Sequence, residues 1–445
     1  MIKNCILAII FILIITYPLS LSLKVLDDVW YENPYIDEMF WIPASNIAFE
    51  DFFIHGDFSQ ETWDQEYYTW GNYNPTIGKF IMGFFIHWRG DNQWREFPVK
   101  EGTKELKDRI NFPTVETFVA ARLPSFIFAY LSCFLLFFIV YLCVGFKEGV
   151  LAAILFVYNP IVRFVSHLAL TDFYVIFFGL LSTLFFILLI KGINKKSFPI
   201  VLGIYTPAVG VFIGLCIGCK LSGFLCLINI AVLLIIAWFF SFDLPWLSGK
   251  FKSIQIFNLK PHSRWMFPSV LILTMAISFS IFIFSNPFLY RNTLHNLRHM
   301  YSHKSFLEKY DISQNLSLKE KFTIALGKRL LGDYHILHFR KFHRLSILLN
   351  FILTAIGLGY FPILIMRDIG NRDYSNANIK IVLLSWCIIH LGGTLWWVPK
   401  DWYRLLLPAI LPLIVLESIG IIYTCRYGAS LIGKSTYFIN LKETC

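Results

Sequence analysis

The sequence predicts an all-α polytopic membrane protein, a bundle of about ten transmembrane helices with a long external loop after the first. Three observations carry that reading. Of 445 residues, 56% are hydrophobic and only 15% charged, where soluble chains average about 45–50% and about 25%. Mean hydropathy is +0.60. The apolar residues also gather into stretches of about 20, the length at which a helix spans hydrocarbon. Such a composition excludes a disordered chain, a collagen, a coiled coil and a secreted disulfide scaffold.

In chain order the expected spans are Cys5–Leu23, Phe118–Val144, Val150–Ser166, Asp172–Ile190, Phe198–Cys216, Leu221–Phe240, Met266–Phe284, Leu345–Met366, Ile381–Val398 and Leu405–Tyr423. The first could be a cleaved signal peptide, but it lacks a small-x-small cleavage site and reads as a retained span. Two polar loops interrupt the series, residues 24–117 and 288–344. No internal repeat or low-complexity tract is visible. The chain therefore divides into a transmembrane module (1–287) that includes the loop 24–117, a basic loop (288–344), and C-terminal helices with a short tail (345–445).

Charge sets an expected topology. With the N-terminus inside, the inner segments hold 15 Lys and Arg against 5 Asp and Glu, as the positive-inside rule requires. The loop 24–117, with 17 acidic and 8 basic residues, then lies outside. So does the loop 288–344, whose 11 basic and 4 acidic residues run against the rule and suit an anionic ligand. The net charge of +10 is thus assigned to lipid-facing loops, with no nucleic-acid partner. The nine cysteines avoid the two long loops, so no disulfide framework is implied. Cys216 and Cys219 form a CxxC, and its apolar neighbours favour packing over redox or metal chemistry.

The first external loop opens with Asp37-Glu38 among Tyr35, Phe40 and Trp41. Partial desolvation and mutual repulsion would tune such a carboxylate as a general base, although an acidic pair capping a helix looks the same in sequence. Asp172, at the edge of an apolar span, is costly to bury and so reads as functional, pairing with a site cation, with a substrate group or with Arg163. The aromatics Trp63, Tyr67, Tyr68, Trp70 and Tyr73 suit sugar stacking or an interfacial belt. His295, His299 and His303 repeat at helical spacing, but the neighbouring Arg298 and Lys304 disfavour a zinc site.

In this setting the chain resembles the GT-C superfamily of membrane glycosyltransferases, in the branch of protein O-mannosyltransferases and related lipid-carrier-dependent transferases. Asp37-Glu38 resembles the family's DE motif, and Asn74-Pro75-Thr76-Ile77-Gly78-Lys79 is similar to its HPPLGK segment, with Asn and Thr substituted. Ser166–Asp172 resembles A-R-x-x-L-x-D, with His167 where Arg is usual. Gly214–Lys220 resembles G-L-x-x-G-x-K, Ser285–Arg291 the N-P-x-L-W/Y segment, and Trp402–Pro408 the R-Y-x-L-P segment.

The resemblance implies a GT-C-type bundle with juxtamembrane helices in the first loop. It implies transfer of mannose or a similar hexose from a polyprenyl-phosphate donor to a hydroxyl on protein Ser/Thr, lipid or cell-envelope glycan. Asp37 would be the general base of an inverting attack, with Glu38 orienting it or the acceptor. Lys79, His167, Asp172, Lys220, Arg291 and Arg404 would form the substrate site, the cations facing the leaving phosphate. No cofactor is required, though a divalent metal stays possible, and the site would face away from the cytoplasm, in the cell membrane or endoplasmic reticulum. The alternatives are a secondary transporter or a noncatalytic subunit of a glycosylation complex. A transporter should show half-repeats and midplane ionisable groups; here the ionisable residues are expected at one face.

Overall fold

Apolar runs without water to satisfy their amides fold as helices, and helices are what the computed structural model contains. It describes residues 37–59, 75–90, 114–194, 198–240, 265–310, 340–397 and 406–442, with no strand among them. In chain order the helices are α1 (Glu38–Phe49), α2 (Ile77–Arg89), α3 (Val115–Cys143), α4 (Phe146–Val157), α5 (Pro160–Ser166), α6 (Asp172–Asn194) and α7 (Phe198–Cys219). After a tight turn follow α8 (Phe224–Phe240), α9 (Met266–Phe284), α10 (Thr293–Tyr310), α11 (Arg340–Gly370), α12 (Tyr374–Trp397) and α13 (Leu407–Lys442).

Eight of the described helices are long and apolar enough to cross a membrane, and α4 with α5 makes a ninth span, bent by 60°. The expected span Cys5–Leu23 lies outside the described residues. The expected single span Val150–Ser166 is corrected to this broken pair. Its cause is Asn159-Pro160: the proline ring cannot continue a helix behind it, while Asn159 Oδ1 accepts from the amides of Ile161 at 2.9 Å and Val162 at 3.2 Å, capping a new one.

Lipid is as apolar as leucine, so the spans adhere by shape and by buried polar contacts more than by the hydrophobic effect. Gly210, Gly214 and Gly218 form a smooth row on α7. A Cβ at Gly210 would lie 2.8 Å from Ile277 of α9, and one at Gly214 would lie 2.9 Å from the Ser278 carbonyl. The row brings α9 within backbone distance. Gly218, at its end, receives the Ile77 side chain from α2, which seats the outer helices on the bundle.

Successive spans run in opposite directions, so one end of the bundle gathers α1, α2, the α5–α6 connection, the α7–α8 turn and the end of α9. The other end is held by ion pairs, Glu148 with Arg426 at 2.8 Å and Asp368 with the buried Lys380. One expectation about charge placement fails. Glu417 of α13 is 3% exposed at the middle of its span, 3.4 Å from the Thr354 hydroxyl of α11. Ionisable groups are therefore not confined to the bundle ends. Glu417 sits in a helix–helix seam, which is where a mid-membrane carboxylate finds hydrogen-bonding partners.

The glycine row yields a test. Gly214→Leu should lower the unfolding temperature of the detergent-solubilised protein by an amount equivalent to about 1–3 kcal/mol of overpacking. Gly392→Ala, where a Cβ meets nothing within 4 Å, should leave it unchanged or raise it. Equal midpoints for the two variants would remove the row from the packing argument.

Candidate active site

Asp37 and Glu38 open α1, where the unpaired amides of a helix start favour negative charge. Asp37 stands at the N-cap position; its carbonyl accepts from the amides of Phe40 at 3.1 Å and Trp41 at 3.0 Å, and its carboxylate Oδ2 is buried. Glu38 has no exposure at all. Its carboxylate takes three donors: Arg122 Nε at 2.7 Å, Arg122 Nη2 at 2.7 Å, and the Ala169 amide at 2.8 Å.

Arg122 lies two turns into α3, is 1% exposed, and stacks 5.0 Å over the Phe118 ring. Taking either charge from water alone would cost several kcal/mol, and the fork geometry with a further amide donor offsets that. The acidic pair is thus divided. Glu38 is locked into the protein, and Asp37 is the neighbour that this lock fixes in place.

The α5–α6 connection reaches the lock and carries the next group. Ala169 binds Glu38, the Leu170 carbonyl accepts from Ser125 Oγ of α3 at 2.7 Å, and Asp172 begins α6. Asp172 Oδ1 lies 2.6 Å from Lys220 Nζ, with the lysine side chain 21% exposed. Lys220 follows α7 in extended conformation (φ −164°), so the chain turns there and the residue belongs to neither helix. The possible Asp172–Arg163 pair is corrected: Arg163 is exposed on α5, and the carboxylate's partner is Lys220. Only two residues stand between Ala169 and Asp172, which keeps their Cα atoms within about 11 Å.

His167 caps α5 and is 6% exposed, its Nε2 buried with no hydrogen-bond partner among the described residues. Burial, reinforced by Arg163 and Arg122, pushes its pKa down to about 4, so the ring is neutral near pH 7.

Lys79 lies in the first turn of α2 at 1% exposure, and burial pushes its ammonium down to about 7. The segment before it is pinned from two sides. The Thr76 amide donates to Asn286 Oδ1 at 2.9 Å and its hydroxyl to the Ser285 carbonyl, while Gly78 leaves room for Thr171. Arg291 is exposed just past the short turn Pro287–Leu289, its carbonyl accepting from Asn296 Nδ2 at 2.8 Å.

The motifs read separately in sequence therefore touch one another: 37–38 with 169, 76–78 with 171, 218, 285 and 286, and 172 with 220. Arg404 lies outside the described residues, as do Trp63, Tyr67, Tyr68, Trp70 and Tyr73. His295 and His299 are exposed on α10, and among the described residues no group of three His, Cys, Asp or Glu could hold a metal ion.

Sequence reasoning missed Arg122. Its signal was present, since a lone arginine inside the expected span Phe118–Val144 must find an anion. The Ala169 amide had no such signal, because a backbone donor is made by folding alone.

Two measurements test this geometry. Arg122→Leu and Glu38→Leu should each cost about 3–5 kcal/mol of stability, the penalty of stranding a buried charge, while the double variant should lose less than their sum. Strict additivity in thermal unfolding would break the lock. For His167 the folded pKa lies below the unfolded value of about 6.5, so its contribution to stability is full above that value and lost as pH falls toward 4. His167→Gln should flatten the pH dependence of the melting temperature across that window, and an unchanged slope would exclude the buried neutral ring.

No family model matches the chain, and no curated protein does. Among solved structures it is similar to the oligosaccharyltransferase AglB from Archaeoglobus fulgidus, determined with an inhibitory peptide and a dolichol-phosphate, at a TM-score of 0.50 and 13% identity over 96% of this chain and 52% of that one. It is also similar to ArnT from Cupriavidus metallidurans in the apo state, at a TM-score of 0.50 and 13% identity over 97% of this chain and 63% of that one. The chain thus spans between half and two thirds of the length of these structures. The likeness extends to the course of the backbone and does not single out the O-mannosyltransferase branch. The chain has an all-α polytopic fold of the GT-C type.

Proposed function

We propose that the chain is an integral-membrane glycosyltransferase that moves a sugar from a polyprenyl-phosphate donor to a hydroxyl acceptor, with inversion. The observation that carries this reading is the short segment Ala169–Asp172, which holds Glu38 at one end and the Lys220 ion pair at the other. It ties the acid next to Glu38 and a partly exposed cation to the same floor.

The chemistry follows from those positions. Asp37 Oδ takes the proton of the acceptor hydroxyl as the oxygen attacks C1 of the sugar. The C1–O bond to phosphate breaks on the opposite face, and charge builds on the departing phosphate. Fixed cations stabilise that charge, and such electrostatic stabilisation commonly lowers the barrier more than any other single effect. Lys220, Arg291, Arg404 and Lys79 are assigned to it. Asp172 aims the Lys220 side chain, and Glu38 with Arg122 positions Asp37 without touching substrate. The buried Lys79, with its lowered pKa, would gain its proton as the second negative charge builds on the departing phosphate.

The hexose, with mannose as the resemblance implies, and the acceptor, whether protein Ser/Thr, lipid or envelope glycan, belong to this proposal, as does a site facing away from the cytoplasm. The solved structure of AglB, with its bound dolichol-phosphate, supports a lipid-linked donor on this fold by analogy.

Asp37→Asn should reduce transfer by the purified protein by at least about 10³-fold with donor binding retained, in keeping with the loss of a general base. Lys220→Ala should instead weaken binding of polyprenyl-phosphate sugar. The readouts are radiolabelled sugar transfer and donor titration in nanodiscs. Near-normal transfer by Asp37→Asn would remove the residue from the mechanism, and unchanged donor affinity in Lys220→Ala would remove the phosphate site.

A further inference from the structure

Cys216 lies in the last turn of α7 and Cys226 in the first turn of α8, on either side of the turn that carries Lys220. Their sulfurs face each other at 4.0 Å. Both rest against Gly179 of α6, where a Cβ would fall 3.0 Å from one sulfur and 3.6 Å from the other. The CxxC spacing suggested Cys219 as the neighbour of Cys216, yet the sulfur that Cys216 meets is ten residues on.

Each thiol has a direction. Cys216 donates to the Val175 carbonyl at 3.2 Å. Across the gap, His390 Nδ1 lies 3.1 Å from the Trp386 carbonyl. A carbonyl only accepts, so Nδ1 carries the ring proton and Nε2 offers its lone pair. Cys226 Sγ lies 3.5 Å from that Nε2. The result is a thiol beside a base that a third group orients, the arrangement that activates a cysteine nucleophile. Cys226 and His390 also wall a small pocket with Ser222, Leu225, Trp386 and Leu411, one helical turn inward from Asp172.

We propose that Cys216 and Cys226 are an oxidisable pair whose disulfide staples the Lys220 turn. His390 Nε2 takes the Cys226 proton, and the thiolate adds to a small apolar two-electron oxidant of the quinone class. Cys216 then gives up its proton as its sulfur attacks Cys226 Sγ, forming the S–S bond and expelling the reduced carrier. Two thiols and one quinone become one disulfide and one quinol, which leaves with two electrons and two protons. Closing the gap takes a side-chain movement of about 2 Å. The staple closes the turn between α7 and α8 and so fixes the backbone that presents Lys220 to Asp172. This inference is independent of the proposed transfer reaction.

The test uses the full-length protein in its membrane, treated with diamide as a small two-electron thiol oxidant or with reductant. The protein is then denatured, blocked with N-ethylmaleimide, digested and mapped by mass spectrometry. The expected result is a peptide pair joined through Cys216 and Cys226, lighter by two hydrogens and separated again by reductant. Cys219→Ser should leave the link intact, and His390→Phe should slow its formation by about tenfold or more, as thiolate supply falls. Recovery of both cysteines as maleimide adducts after oxidation, or a Cys216–Cys219 link in their place, would overturn the proposal. Oxidation of His390→Phe at the wild-type rate would overturn the role of the imidazole.

Discussion

The bidentate pair between Glu38 and Arg122 is the constraint on which the rest of the site depends. It is fully buried, so it exists only while each charge has the other. It joins three parts of the chain that share no continuous helix: the start of α1, the second turn of α3 and the α5–α6 connection. Asp37, one residue earlier at the head of α1, takes its position from this junction. A weaker contact, such as a lysine at 122, would supply the charge but not the fork that fixes two oxygens at once.

The second constraint is shape. With little hydrophobic drive between helices in lipid, close approach comes from small residues, and the α7 glycine row lets α9 bring Ser285 and Asn286 up to the Thr76 segment. The polar contacts of the site end then stand on an apolar frame whose geometry is set by missing side chains. Glu417 makes a related point at mid-membrane, where a carboxylate sits in the α11–α13 seam against Thr354.

Much of this was legible in the sequence because the bilayer leaves a chain few options. Met266–Phe284 reads the same from hydropathy and from coordinates. The broken span at Asn159-Pro160 was legible too, but hydropathy averages over the two residues that cause it, so a window sees one span where the backbone makes two. The motifs at 37–38, 166–172 and 214–220 could be placed in order but not in space. That Asp172 meets Lys220, with Arg163 left exposed, is a contact between residues 48 positions apart, which no local pattern encodes. The Cys216–Cys226 approach has no local signature either: the CxxC at 216 and 219 is a spacing within one helix, while the turn at 220 brings Cys226 to face Cys216.

The hydrogen bonds from Thr76 to Ser285 and Asn286 link residues 209 and 210 positions apart. A nascent chain is threaded into the membrane from its beginning, so the α2 segment emerges long before its anchor has been synthesised. Until α9 is inserted, the outer helices can lean on α3 and on Gly218 of α7, but their polar clasp is missing. Assembly of this end of the bundle is therefore a late event in biogenesis, and an arrested chain ending before residue 285 would carry the acid without the clasp that completes its surroundings.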